Sequence, residues 1–90
     1  MAKYLVERRL PGFTTDQVMA AAGAAKRTTA EMTNEGTPVR YLRSTFIPGE
    51  DKCFCLFEAG SAEIVREANV RAGLPMDRVV AAAHVSADDV

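Results

Sequence analysis

The sequence predicts an α+β fold in which two helices pack against one side of a four-stranded antiparallel sheet. Four short runs rich in β-branched and aromatic residues are typical of strands, and two longer segments carry apolar or small residues at helical spacing. Their order is β-α-β-β-α-β within 90 residues, so we expect a ferredoxin-like sandwich. One domain should cover 1–86, followed by a short flexible tail at 87–90.

The first half of the chain predicts a strand, a helix and a second strand. The strand covers 3–7. Thr14 is a suitable N-cap for the helix, and Gln17 completes a capping box with it. Small and apolar residues then form one helical stripe: Val18, Ala22, Ala25, Thr29 and Met32. Gly36 ends the helix, and the second strand covers 39–47.

The second half predicts a strand, a helix and a final strand. The strand at 52–57 is the most apolar segment, so we expect it in the centre of the sheet. Ser61 is the N-cap of the second helix, and Gly73 fits the position just after its end. The last strand covers 78–85. Spatially, the strands should lie in the order fourth, first, third, second.

Charge and hydropathy exclude several classes of protein. The chain has 11 Lys and Arg against 12 Asp and Glu, which gives a formal net charge of −1. This balance argues against a nucleic-acid partner, which needs a basic surface. No apolar run approaches the length of a membrane span, and the N-terminus lacks the apolar core of a signal peptide. We therefore expect no membrane association and a cytoplasmic location.

The third strand is apolar on both faces, which is relevant to whether the chain forms a dimer. Cys53, Cys55 and Phe57 should occupy one face of it, and Phe54 and Leu56 the other. Two helices cover only one face of the sheet, so the second face needs another cover. We expect a second copy of the chain there, which would make a homodimer of the dimeric α+β barrel type. The alternative is an apolar face partly covered by long side chains such as Arg40 and Arg43.

Cys53, Cys55, Glu58 and His84 are the candidate metal ligands. The spacing of the two cysteines in a strand predicts thiols on one face that are too far apart at Cβ for a disulfide. They would bind a metal together with His84 or with donors from a partner chain. The alternative is that the cysteines are small buried apolar residues. None of the common zinc, nucleotide-binding or hydrolase motifs occurs.

Four further residues are candidates for a ligand pocket: Glu7, Tyr41, Arg43 and Asn69. Glu7, like Glu58, ends an apolar strand and would be a base or ligand if it faced a dimer cavity; otherwise it pairs with an arginine at the sheet edge. Strict alternation puts Tyr41 and Arg43 on one face, where the arginine would bind a carboxylate or stack on the ring. Asn69 is either an orienting amide or a solvated helix residue.

Four segments resemble a family of small bacterial ferredoxin-like proteins of unknown function, some of which are described as nickel-binding. They are Tyr-Leu-Val-Glu-Arg at 4–8, Val-Arg-Tyr-Leu-Arg-Ser at 39–44, Cys-Leu-Phe-Glu-Ala at 55–59, and the second-helix and exit-loop segment at 66–79. The resemblance implies a dimer and nickel or another divalent transition metal as the bound ion. The chain departs from the family near Ala68 and Asn69, where such proteins often have a histidine.

Two functional hypotheses follow. The first is a small dimeric binding protein that holds a transition-metal ion such as nickel and performs no catalysis. The second is a cofactor-independent enzyme of the oxygenase, isomerase or cyclase type, which would use an apolar cavity in a dimeric barrel with His84, Glu7 or Tyr41 transferring protons. The second hypothesis rests on analogy between folds.

Overall fold

A computed structural model describes all 90 residues and confirms the predicted architecture. The elements are β1 (Ala2–Arg9), α1 (Thr15–Asn34), β2 (Val39–Ile47), β3 (Lys52–Ala59), α2 (Ala62–Arg71) and β4 (Arg78–Ala82). The sheet order is β2-β3-β1-β4, and all three strand pairs are antiparallel. Single 3₁₀ turns occupy Pro48–Glu50 and Ala87–Asp89. Neither α-helix combines the length and apolar character needed to cross a bilayer.

The helix boundaries follow from local hydrogen bonding. The Thr14 hydroxyl accepts from the Gln17 backbone N–H, and the Gln17 side chain accepts from the Thr14 backbone N–H, which completes the predicted capping box. The Ser61 hydroxyl accepts from the Ile64 backbone N–H at the start of α2. Beyond α2, Gly73 adopts a φ of 74°, a left-handed conformation that favours glycine.

The core lies between the sheet and the two helices. Val6, Phe57 and Val65 are fully buried there, and Met32 of α1 is 1% exposed. We call the other side of the sheet the open face. Its side chains are Lys3, Leu5, Glu7 and Arg9 of β1, Lys52, Phe54, Leu56 and Glu58 of β3, Arg40, Arg43 and Thr45 of β2, and Arg78, Val80 and Ala82 of β4.

A β-bulge in β2 corrects one prediction. The register with β3 shifts between Tyr41 and Arg43, because Leu42 is an extra residue in the strand. Tyr41 therefore lies on the helix side together with Ser44, whereas Arg43 lies on the open face. The prediction that Tyr41 and Arg43 share a face was wrong, since it assumed uninterrupted alternation.

The last strand is shorter than predicted. β4 ends at Ala82, which pairs with Lys3, rather than at residue 85. The register of β4 with β1 ends at this pair. The chain leaves the sheet edge, and His84 contacts Arg43 on the open face.

Candidate functional site

The sheet divides the eight predicted site residues into two groups. Cys53, Cys55, Tyr41 and Asn69 lie on the helix side; Glu7, Glu58, Arg43 and His84 lie on the open face. The four predicted metal ligands are thus split between the two sides. No three His, Cys, Asp or Glu side chains cluster closely enough to hold a metal ion. A single site made of Cys53, Cys55, Glu58 and His84 therefore does not form within one chain, because residues of opposite parity on β3 point to opposite faces.

The two cysteines form a buried thiol pair. Cys53 is 1% exposed and Cys55 6%, and both are free thiols. Their sulfur atoms lie 3.8 Å apart. Burial raises the pKa of the Cys53 thiol, and the neighbouring Cys55 raises it further by a smaller amount, to about 11 in total. Cys53 is therefore a neutral thiol near neutral pH.

Arg8 is a buried cation beside this pair. It lies directly opposite Cys53 in the register of β1 with β3 and is 1% exposed. No carboxylate contacts it. Its Nη1 donates to the Pro75 carbonyl and its Nη2 to Asn69 Oδ1, each at 2.9 Å, while Nε has no partner. An arginine keeps its charge even when buried, so the helix side of the sheet carries an uncompensated positive charge.

Asn69 is a buried amide that orients the guanidinium of Arg8. Its Nδ2 donates to the Val65 carbonyl at 2.8 Å, and this contact directs Oδ1 towards Arg8. The side chain is 1% exposed, so the alternative of a solvated helix residue is wrong. Asn69 and the Pro75 carbonyl hold two of the three guanidinium nitrogens of Arg8 and so fix its position next to the thiols.

Tyr41 and Ser44 extend the polar cluster on its other side. The Tyr41 hydroxyl and Ser44 Oγ lie 2.7 Å apart, and Ser44 Oγ lies 3.0 Å from Cys55 Sγ. The Tyr41 ring meets Phe57 edge-on, with 5.6 Å between ring centroids. Burial raises the pKa of Tyr41, with a smaller opposing effect from the Ser44 hydrogen bond. We call the set Arg8, Tyr41, Ser44, Cys53, Cys55 and Asn69 the thiol cluster.

A small cavity adjoins the thiol cluster. Its volume is about 10 Å³, about the space that one water molecule needs. Arg8, Ser44 and both cysteines line it, and the small side chains of α1 at Ala21, Ala22 and Ala25 form part of its wall. The cavity is far smaller than the ~300 Å³ typical of small-molecule sites, so the enzyme hypothesis depends on space that an assembled dimer would enclose.

The carboxylates of the open face are engaged by basic side chains. Glu58 contacts both Lys3 and Arg40 at 3.5 Å. Glu7 contacts Arg78 at 3.0 Å and Lys52 at 3.7 Å. Each carboxylate thus bridges two cations, which agrees with the simpler of the two interpretations given for Glu7 and Glu58. The face has six basic residues and two acidic ones, so it carries an excess of positive charge. The composition of the whole chain, which is nearly balanced in charge, does not reveal this excess.

His84 and Arg43 meet above the apolar part of the open face. Arg43 Nη2 lies 2.8 Å from His84 Nδ1. Since the guanidinium can only donate, Nδ1 accepts this hydrogen bond. The two residues line a shallow depression of about 190 Å³ together with Leu5, Phe54 and Leu56. Arg43 has no acidic partner.

Sequence reasoning identified neither Arg8 nor Ser44 as a site residue. The signal for Arg8 was present in the alternation of β1, because Tyr4, Val6 and Arg8 share one face and Val6 is apolar. Arginine is seldom buried without a carboxylate, so the burial of Arg8 is not expected from its residue type. Nothing in the local sequence marks the bulge at Leu42 that returns Ser44 to the helix side.

Comparisons with known proteins agree with this fold. The family model described as nickel responsive protein SCO4226-like matches residues 4–81. Among solved structures, the chain is similar to SCO4226 from Streptomyces coelicolor A3(2), with 24% sequence identity and a TM-score of 0.77 over 94% of this chain and 100% of that one. At this identity the likeness shows the fold alone. No curated protein matches the chain. Because the family model spans most of the sequence and confirms the resemblance noted above, the protein belongs to the nickel-responsive SCO4226-like family.

Proposed function

We propose that this protein binds a transition-metal ion through the thiolates of Cys53 and Cys55. The observation that carries the proposal is the pair of thiol sulfurs 3.8 Å apart beside the buried guanidinium of Arg8. Soft thiolate ligands select transition metals, and the thiolate rather than the thiol is the ligand. Glu58 and His84 are not part of this site within one chain.

Arg8 would stabilise the metal-bound form of the pair. Binding a metal removes the thiol protons, which leaves two negative sulfurs in a buried environment. An adjacent positive charge favours thiolates, and Arg8 already lowers the pKa of Cys53 against the larger effect of burial. Arg8 lacks a carboxylate partner, so its charge is available to the thiolates.

Nickel itself does not fit the residues of one chain. Nickel(II) favours square-planar or tetragonal coordination, hence four or more donors. The thiol cluster offers two sulfurs and the Ser44 hydroxyl. The other candidate donors, Glu58 and His84, are on the opposite side of the sheet. The family's name concerns nickel, so this ion is included in the binding test.

The metal proposal is tested by native mass spectrometry of the full chain with the individual ions Ni²⁺, Zn²⁺, Cu⁺ and Ag⁺. For at least one of these ions, we expect binding to the wild type and to His84→Ala. We expect no binding of that ion to Cys53→Ala or Cys55→Ala. His84→Ala is the matched control because it removes the single imidazole from the open face without touching the thiols. Binding that survives the double cysteine variant would refute the proposal.

We propose in addition that a second copy covers the open face. Leu5, Phe54 and Val80 are only half-buried there, and no helix lies over them. Sedimentation equilibrium should give the mass of a dimer, and Phe54→Ser should shift the protein towards the monomer. A monomeric wild type at high micromolar concentration would contradict this assembly, and with it the enclosed cavity on which the enzyme hypothesis depends.

A further inference from the structure

We infer that the thiol cluster is a site for a soft monovalent ion, of the copper(I) or silver(I) type, held in two-coordinate geometry. The inference rests on the proposed function and names the class of ion that this site prefers. Three independent features lead to it: the number of donors, the free volume around them, and the charge of Arg8.

The donor count favours two-coordinate binding. Cys53 and Cys55 supply two sulfurs, and no third His, Cys, Asp or Glu lies near enough to join them. The Ser44 hydroxyl is 3.0 Å from Cys55 and also contacts Tyr41, so it is already engaged as a hydrogen-bonding group. Soft ions such as copper(I) select thiolates, whereas divalent nickel needs further donors that this side of the sheet lacks.

The geometry is compatible with an ion between the two sulfurs. Two metal–sulfur bonds of about 2.3 Å in line would require about 4.6 Å between the sulfurs. The observed distance is 3.8 Å, so the two side chains must separate by less than one ångström. The adjoining cavity of about 10 Å³ holds about one water-sized group, so it has no room for the full hydration shell of an ion.

Charge decides between monovalent and divalent ions. Arg8 places one permanent positive charge beside the two sulfurs. A monovalent ion displaces both thiol protons to water, and the two thiolates, the ion and Arg8 then sum to zero. A divalent ion displaces the same two protons but leaves the positive charge in place. Burying a net charge is unfavourable, so the monovalent ion is preferred.

Arg8 is therefore a selectivity determinant that need not touch the ion. In Arg8→Met, the two thiolates with a monovalent ion carry a negative charge, while a divalent ion gives a neutral site. The preference should then move towards divalent ions. Arg8→Lys keeps the positive charge on the same strand and should retain the preference for a monovalent ion. A purely structural role of Arg8 would weaken all ions alike.

The experiment titrates the full-length protein with Ag⁺, Cu⁺, Ni²⁺ or Zn²⁺ in excess reduced glutathione, monitored by native mass spectrometry. Calorimetry in buffers of different ionisation enthalpy counts released protons. We expect one Ag⁺ or Cu⁺ per chain, release of two protons, and no retained Ni²⁺. The affinity for Ag⁺ and Cu⁺ should fall by about 10–100-fold in Arg8→Met, which is the usual effect of losing a residue that supports a metal site. Circular dichroism confirms that each variant is folded.

The outcomes separate the two proposals. Retention of Ni²⁺ or Zn²⁺ in preference to Ag⁺ and Cu⁺, dependent on both cysteines, would overturn the monovalent preference and leave the metal site intact. Equal Ag⁺ retention by wild type and Cys53→Ala would overturn two-coordinate binding. Absence of any bound ion would overturn both proposals. An Arg8→Met variant with an unchanged order of ion affinities would refute the charge argument.

Discussion

Arg8 and Cys53 lie directly opposite each other on β1 and β3, and each is 1% exposed. A permanent cation and a thiol thus share the helix side of the sheet, with no carboxylate between them. Burial of the cation is tolerated because Asn69 and the Pro75 carbonyl accept two of its hydrogen bonds. This arrangement gives the two thiols a positively charged neighbour that would stabilise them as thiolates.

The stability of the protein should fall at alkaline pH because of Cys53. Burial raises the pKa of this thiol to about 11, so the folded chain holds the proton more tightly than the unfolded chain. Its contribution is fully present below the ordinary cysteine pKa of about 8.5 and is lost as the pH rises through about 11. We expect the free energy of unfolding to drop by about 3 kcal/mol over this interval through Cys53, since each unit of pKa difference is worth about 1.4 kcal/mol.

Urea unfolding at several pH values measures this effect. Cys53→Ala is the control, since the other alkaline groups remain and only the Cys53 contribution disappears. Its unfolding free energy should depend less on pH above about 8.5 than that of the wild type. Identical pH dependences would show that the thiol proton is not held by the folded state.

Removing the amide of Asn69 should destabilise the fold. Asn69→Leu preserves the approximate size of the side chain but leaves Arg8 Nη2 without its acceptor in a buried position. Loss of a hydrogen bond to a buried charged group costs about 2–3 kcal/mol. Chemical denaturation should show a loss of this size. Asn34→Leu, at the exposed end of α1, is the matched control and should change stability by less than about 0.5 kcal/mol.

The two thiols should react slowly with an alkylating reagent in the native protein. Both are buried, and Cys53 is protonated at neutral pH, so neither accessibility nor thiolate content favours attack. Intact mass measurements over time should show slow, nearly simultaneous modification of both cysteines, limited by opening of the fold, and rapid modification in urea. Rapid labelling of one cysteine in native buffer would contradict the burial of the pair.

The proposed dimer should strengthen as salt is added. The open face has six basic residues against two acidic ones, so two such faces repel each other at low ionic strength. Salt screens this repulsion and strengthens apolar contact between the faces. Sedimentation at low and high salt measures the change. Arg43→Gln removes a cation that has no acidic partner, so it should reduce the dependence of dimer affinity on salt. A dimer that is weakened by salt would indicate a different interface.

The sequence alone determined the order of the elements, the capping of both helices and the strand order of the sheet. The caps and the element order depend on neighbouring residues: Thr14 with Gln17, Ser61 at the start of α2, and the turn signals between apolar runs. The strand order then follows from the ferredoxin-like fold that this element order predicts. The alternation of β3 likewise placed Cys53 and Cys55 on one face and Phe54 on the other. Local patterns suffice wherever the hydrogen bonds in question join residues close in the chain.

The tertiary structure decided which candidate residues meet. The bulge at Leu42 moves Ser44 to the thiols and Arg43 to the open face, and it exists only in the pairing of β2 with β3. The burial of Arg8 depends on Asn69, 61 residues away in the chain. The alternation of β1 indicates which side of the sheet Arg8 faces, but its contact with Asn69 arises from packing between distant segments, which leaves no periodic signal in the sequence. The composition of the thiol cluster therefore became visible only when the sheet and α2 were brought together.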